Sequence, residues 1–191
     1  MIRVGSSSLG SLSHWYIDVP VENGDIHSMG FWGFSPKIYI SDTTGNSMFS
    51  NYLNSIVTQL VLSNSEEFNG MTITTNESLA DIVIRGVETL GNNKVGITIP
   101  NHSQQVYTAD YQGQSKQIKE IVSANIQILE STNYNQLQNT ILHEIWHALG
   151  YLGHSSNTND IMYKSSQSSN ASQLSQRDID QLLQIYPLIL P

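Results

Sequence analysis

His143 and His147 stand four residues apart, with Glu144 directly after the first. On a helix, positions i and i+4 lie on one face, so the two imidazoles project together. Two neutral imidazoles so placed can hold one Zn²⁺, and Glu144 falls where it can take a proton from a metal-bound water. Gly150 comes next and tolerates positive φ, which lets the backbone leave the helix sharply. Such a turn can swing His154 back as a third ligand, leaving a fourth coordination position for water or substrate, as a catalytic zinc requires.

Chemistry of this kind needs a rigid frame. Leu142, Ile145, Trp146 and Leu149 give the histidine helix an apolar face against a core, and Asn133 with Gln136 offers an N-cap and capping box at its start. Earlier, Phe49, Tyr52, Leu53, Ile56, Val57, Leu60 and Val61 recur at helical spacing behind Asn46 or Ser47 as N-cap. Short β-branched or alternating runs predict strands at 36–40, 71–74, 81–85 and 94–99, the last stopped by Pro100. The polar stretch 101–117 reads as a loop in which His102 is solvated, and 118–128 should return as a central strand. Ser175 to Asp178 resembles a second capping box, followed by Ile179, Leu182, Leu183 and Tyr186 at helical spacing until Pro187.

His143 to His154 resembles the metzincin metallopeptidase signature H-E-x-x-H-x-x-G-x-x-H followed by a methionine turn, for which Asp160-Ile161-Met162-Tyr163 is the match. His147-Ala148-Leu149-Gly150 and the Asp-Ile-Met-Tyr run are similar to the matrixin branch in particular. The departure is one extra residue, since Tyr151, Leu152 and Gly153 precede the third histidine where the family has two residues. In a loop such an insertion can be absorbed, and Gly153 supplies freedom just before His154. The resemblance implies an α+β domain: a twisted mixed sheet of about five strands with an upper-lobe helix, an active-site helix and a C-terminal helix. It implies zinc on His143, His147 and His154, Glu144 as catalytic base, Met162 as an apolar floor beneath the metal and Tyr163 in a substrate pocket. It also implies that an edge strand over the cleft, here 94–99 or the loop after it, pairs with an extended peptide. Structural zinc and calcium in relatives use a His-Asp-rich loop that 101–117 does not contain, so calcium is left open with no motif to place it. The expected reaction is endoproteolysis of protein or peptide substrates; a zinc-binding capture domain without turnover is the alternative.

The chain has 191 residues, enough for one domain with a sizeable core. Eight basic residues stand against 16 acidic, a formal −8, and there is no basic stripe, so neither nucleic acid nor an anionic membrane is an expected partner. There is no cysteine, which excludes disulfides, a thiolate ligand and latency through a cysteine on the zinc. No run of ~18 apolar residues is present. Few residues are charged (13%), and a secreted, monomeric bacterial enzyme is expected; Met1 to Ser13 lacks a secretory pattern, so a signal would have to lie elsewhere. Residues 1–30 are expected to form an N-terminal arm or a pro-segment in which Asp18, Asp25 and His27 could reach the zinc, and 31–191 the catalytic domain.

Overall fold

The computed structural model describes residues 30–42, 45–63, 70–111, 114–150, 153–155, 157–164 and 173–178. The expected arm before residue 30, Tyr151 and Leu152, and the body of the expected closing helix after Asp178 lie outside the described residues.

A single sheet forms the frame. Strands β2 (Lys37–Asp42), β3 (Thr72–Ile73), β4 (Ile82–Val87) and β6 (Gln114–Leu129) run parallel, in the order β3-β2-β4-β6. Strand β5 (Gly96–Tyr111) closes the far side antiparallel to β6. Ala124 of β6 faces both Ile82 and Pro100, so β4 and β5 occupy opposite edges of that strand. A short strand β1 (Gly30–Phe31) continues the β4 side, pairing with Lys119 and Glu120. The mixed α+β sheet expected from the sequence is thus present.

Three expectations are corrected here. Pro100 does not stop its strand, and 101–117 is not a loop: β5 continues to Tyr111 and turns back into β6, with register shifts around His102. Backbone direction explains the tolerance of proline. Ala124 donates its N–H to Asp81 on the β4 side at 2.9 Å, so in the Pro100–Ala124 pair neither residue turns its amide toward the other. The missing N–H of Pro100 therefore faces the outer edge, where no ladder bond is lost. His102 is also no solvated loop residue. It sits half-buried in β5 with its Nε2 buried and unpartnered, and burial followed by the nearby Lys119 charge lowers its pKa.

Both helices cover one face of the sheet. In β4 alternate residues are buried, and Ile82 and Ile84 join Ile38, Ala124, Ile126 and Ile128 beneath the helices. Helix α1 (Ser47–Ser63) starts where the Asn46 side chain accepts the Phe49 N–H at 3.1 Å, and it buries Phe49, Leu53, Val57 and Leu60. Helix α2 (Tyr134–Ala148) begins directly after Asn133 and buries Leu137, Ile141, Ile145 and Trp146. Each large aliphatic side chain so covered contributes roughly 1.5–3 kcal/mol on burial, which fixes α2 as a rigid platform. The opposite sheet face is polar where Arg85 donates to Asn125 at 3.2 Å and pairs with Glu77.

Candidate metal centre

Helix α2 delivers His143 and His147 from successive turns of one face. Their Nε2 atoms lie 3.0 Å apart, and the rings meet edge to face with centroids 4.6 Å apart. Gly150 then takes φ +108, and beyond it the His154 ring stacks on His143 with centroids 5.3 Å apart. One nitrogen from each of the three rings lies within 4.8 Å of the others. The longer bend therefore still brings His154 to the helical pair. Asp160, the first carboxylate after His154, is engaged elsewhere: it accepts bonds from Ser155 (2.6 Å), Ser175 (2.9 Å) and Arg177 (2.7 Å).

Protonation and tautomer suit a metal. The Nδ1–H of His143 donates to the Ile161 carbonyl at 2.8 Å; a carbonyl can only accept, so Nδ1 carries the proton and Nε2 presents a lone pair. Burial holds the His143 pKa down to about 4; the Ile161 bond raises it and the His154 charge lowers it further. At neutral pH this ring is a neutral ligand. Two nitrogens bound at ~2.0–2.1 Å in a tetrahedron are about 3.3 Å apart. The 3.0 Å found between His143 and His147 is close to that value. The residues present therefore fit a zinc ion.

The methionine turn is tied to this centre by its backbone. Met162 is fully buried, and its neighbour Ile161 supplies the carbonyl that orients His143. Tyr163 is half-buried and bridges to Ser155, one residue after His154. The loop between them is closed by the Ser155 N–H donating to the Met162 carbonyl at 2.6 Å.

Glu144 is buried under the edge strand. Thr98 donates its hydroxyl to Glu144, with 2.7 Å to Oε2 and 2.8 Å to the main-chain carbonyl. Burial raises the Glu144 pKa to about 7, while the Thr98 bond and then the Lys94 charge pull it back.

Several contacts that position the centre were not anticipated. Asp178 accepts the N–H groups of Ile161 (3.1 Å) and Met162 (3.4 Å), and also closes the capping box by accepting the Ser175 N–H at 2.9 Å. Its capping role was visible in the Ser-x-x-Asp spacing; its reach to the methionine turn was not. Trp32 donates its indole N–H to the Ala148 carbonyl at 2.9 Å; a Cβ on Gly150 would strike the Gly30 carbonyl, and one on Gly30 would strike Ile121 and His102. Gly96 and Thr98 lay within a predicted strand, but nothing in their spacing marked them as neighbours of Glu144.

A mixed sheet with a histidine-bearing helix beneath its antiparallel edge strand, a third histidine from the loop beyond and a methionine turn behind them define a metzincin-type metallopeptidase domain. The family model for matrixin matches residues 40–187, and the chain belongs to the matrixin family, which implies a zinc centre and metallopeptidase activity in general. No curated protein matches the chain.

Proposed function

We propose that the chain is a zinc metalloendopeptidase that cleaves extended protein or peptide substrates. In this reading His143, His147 and His154 hold the metal, Glu144 is the general base, Met162 forms the floor of the site and Tyr163 lines the pocket beyond the cut. The observation that carries it is the convergence of three imidazole nitrogens within 4.8 Å, with Glu144 on the same helix as two of them. Zinc held there supplies Lewis acidity, which acidifies water and polarises the scissile carbonyl.

The remaining steps belong to the chain's own residues. Ala124 turns its amide toward β4, so in the β5 partner strand Gly96, Thr98 and Pro100 turn their backbone groups to the outer edge. No described strand covers that edge. The N–H and C=O groups of Gly96 and Thr98 can then pair with an extended peptide and hold its carbonyl over the helix. Glu144 takes one proton from the attacking water as the O–C bond forms. It delivers that proton to the leaving nitrogen as the C–N bond breaks. We further infer that the enzyme is secreted and works as a monomer; a surface with few charges, built on Ser, Asn, Gln and Thr, supports the secretion.

The test is hydrolysis of a quenched peptide by the zinc-loaded protein. Turnover should vanish with a chelator and return with zinc. Glu144→Gln should retain stoichiometric zinc and lose kcat by a factor on the order of 10² to 10⁴. His154→Ala should weaken zinc binding markedly. Zinc and peptide binding without any turnover would instead identify a capture domain.

A further inference from the structure

We infer that Thr98 is a positioning residue for the general base, fixing the carboxylate of Glu144 against the strand that aligns the substrate. The inference rests on the endopeptidase reading above. Its geometric basis is one hydroxyl facing two acceptors of the same residue. Thr98 Oγ1 lies 2.8 Å from the Glu144 carbonyl and 2.7 Å from Oε2. The hydroxyl carries one proton, which it gives to the carboxylate, gives to the carbonyl or shares between them, and in each case Thr98 stays against the Glu144 carboxylate. A glutamate has three rotatable bonds, and a base that wanders among rotamers spends little time in line with the attacking water.

Gly96 completes the seat. A Cβ there would lie 2.7 Å from both Cγ and Oε1 of Glu144, and 2.9 Å from the Thr140 methyl. The carboxylate thus occupies space that any other residue at 96 would fill. Oε1 rests over the Gly96 backbone, while Thr98 engages Oε2. The division leaves the two oxygens in different surroundings, one against the Thr98 hydroxyl and the other packed against Gly96.

The location of the latch matters as much as its strength. Gly96 and Thr98 also turn their backbone N–H and C=O groups to the outer edge of β5, as the Ala124 amide direction requires. The residues that would bind the peptide main chain are the residues that hold the base. Base and scissile carbonyl are then set against each other within one short stretch of strand, and not through separate loops. The side chain can be altered without touching the edge amides, which separates positioning of the base from binding of substrate.

The experiment compares Thr98→Val, which keeps the shape and removes the hydroxyl, with Thr98→Ser, which keeps the hydroxyl. Thr98→Ala serves as a second hydroxyl-free variant in case the valine methyl disturbs folding. Each is measured in its zinc-loaded form for kcat and KM on a quenched peptide and for zinc affinity by chelator competition, and Glu144 is located in crystal structures. We expect Thr98→Val and Thr98→Ala to lose roughly tenfold or more in kcat with KM within about twofold. Thr98→Ser should retain most of kcat. Zinc affinity should stay unchanged throughout, and the Glu144 carboxylate should shift in the valine and alanine variants only. An unaltered kcat in both hydroxyl-free variants, or an unmoved carboxylate in their structures, overturns the inference. A wild-type protein that binds zinc but cleaves no peptide defeats the endopeptidase reading, while the carboxylate position still decides what Thr98 does.

Discussion

Trp32 donates its indole N–H to the main-chain carbonyl of Ala148, 2.9 Å away, across 116 residues of sequence. Ala148 is the last residue of α2, where helical carbonyls have lost their own amide partners, and it is fully buried. The strand Gly30–Phe31 passes beside it, and a Cβ on Gly150 would fall onto the Gly30 carbonyl. This strand and Trp32 precede the stretch matched by the family model, which starts at residue 40, yet they brace the turn that leads to His154. Trp32→Phe keeps an aromatic ring and removes the donor. It should cost about 1–3 kcal/mol for the orphaned carbonyl, with a further loss from the smaller ring. Denaturant unfolding of the zinc-free protein reads the first effect, and chelator competition should show weaker zinc binding through a loosened His154 loop. A variant with wild-type stability and wild-type zinc affinity would remove the brace.

The parts of the site that were legible in the sequence are those governed by short-range periodicity. His143, Glu144 and His147 share a helix, so their relation follows from 3.6 residues per turn. Helix α1 was readable for the same reason, and its Asn46 cap lies three residues from its partner. The misread portions involve directions that a linear pattern does not encode. Proline ends most strands, but here the Pro100 nitrogen points off an open edge. The run after it is polar and lacks the apolar alternation that announces a strand, so its pairing with β6 was not legible in the sequence. Thr98 meets Glu144 across 46 residues, and no spacing rule links a threonine in a strand to a glutamate in a helix at that distance.

Asp178 makes a second test of how the methionine turn is held. Its carboxylate is buried and accepts the N–H groups of Ile161, Met162 and Ser175. Ile161 in turn carries the carbonyl that orients His143. Burial raises the Asp178 pKa, the bonds from Ser175 and Ile161 lower it, and the Asp160 charge raises it. Asp178→Ala leaves these buried donors unpaired, at about 1–3 kcal/mol for each one that water cannot reach. The zinc-free protein should lose several kcal/mol in urea unfolding, and zinc affinity should drop because His143 loses its fixed partner. Unchanged stability would mean that water replaces the carboxylate.

The zinc-free protein should also show two opposed pH dependences centred on adjacent residues. Burial raises Glu144 from 4.5 to about 7, despite the Thr98 bond and the Lys94 charge. Between those values the folded protein keeps a proton that the unfolded chain has released, so this group makes stability fall as pH rises. Burial lowers His143 from 6.5 to about 4, offset in part by the Ile161 bond and reinforced by the His154 charge. Between those values the unfolded chain binds the extra proton, so this group makes stability fall as pH drops. From 4.5 to 6.5 the two slopes cancel in part. Glu144→Gln removes the first, and relative to wild type its stability should improve steadily as pH climbs from 4.5 to 7. His143→Asn, whose amide can still donate to Ile161, removes the second and should gain on wild type as pH drops from 6.5 to 4. Urea unfolding across that range in the presence of chelator measures both differences, and parallel profiles for all three proteins would show that neither residue titrates as its burial dictates.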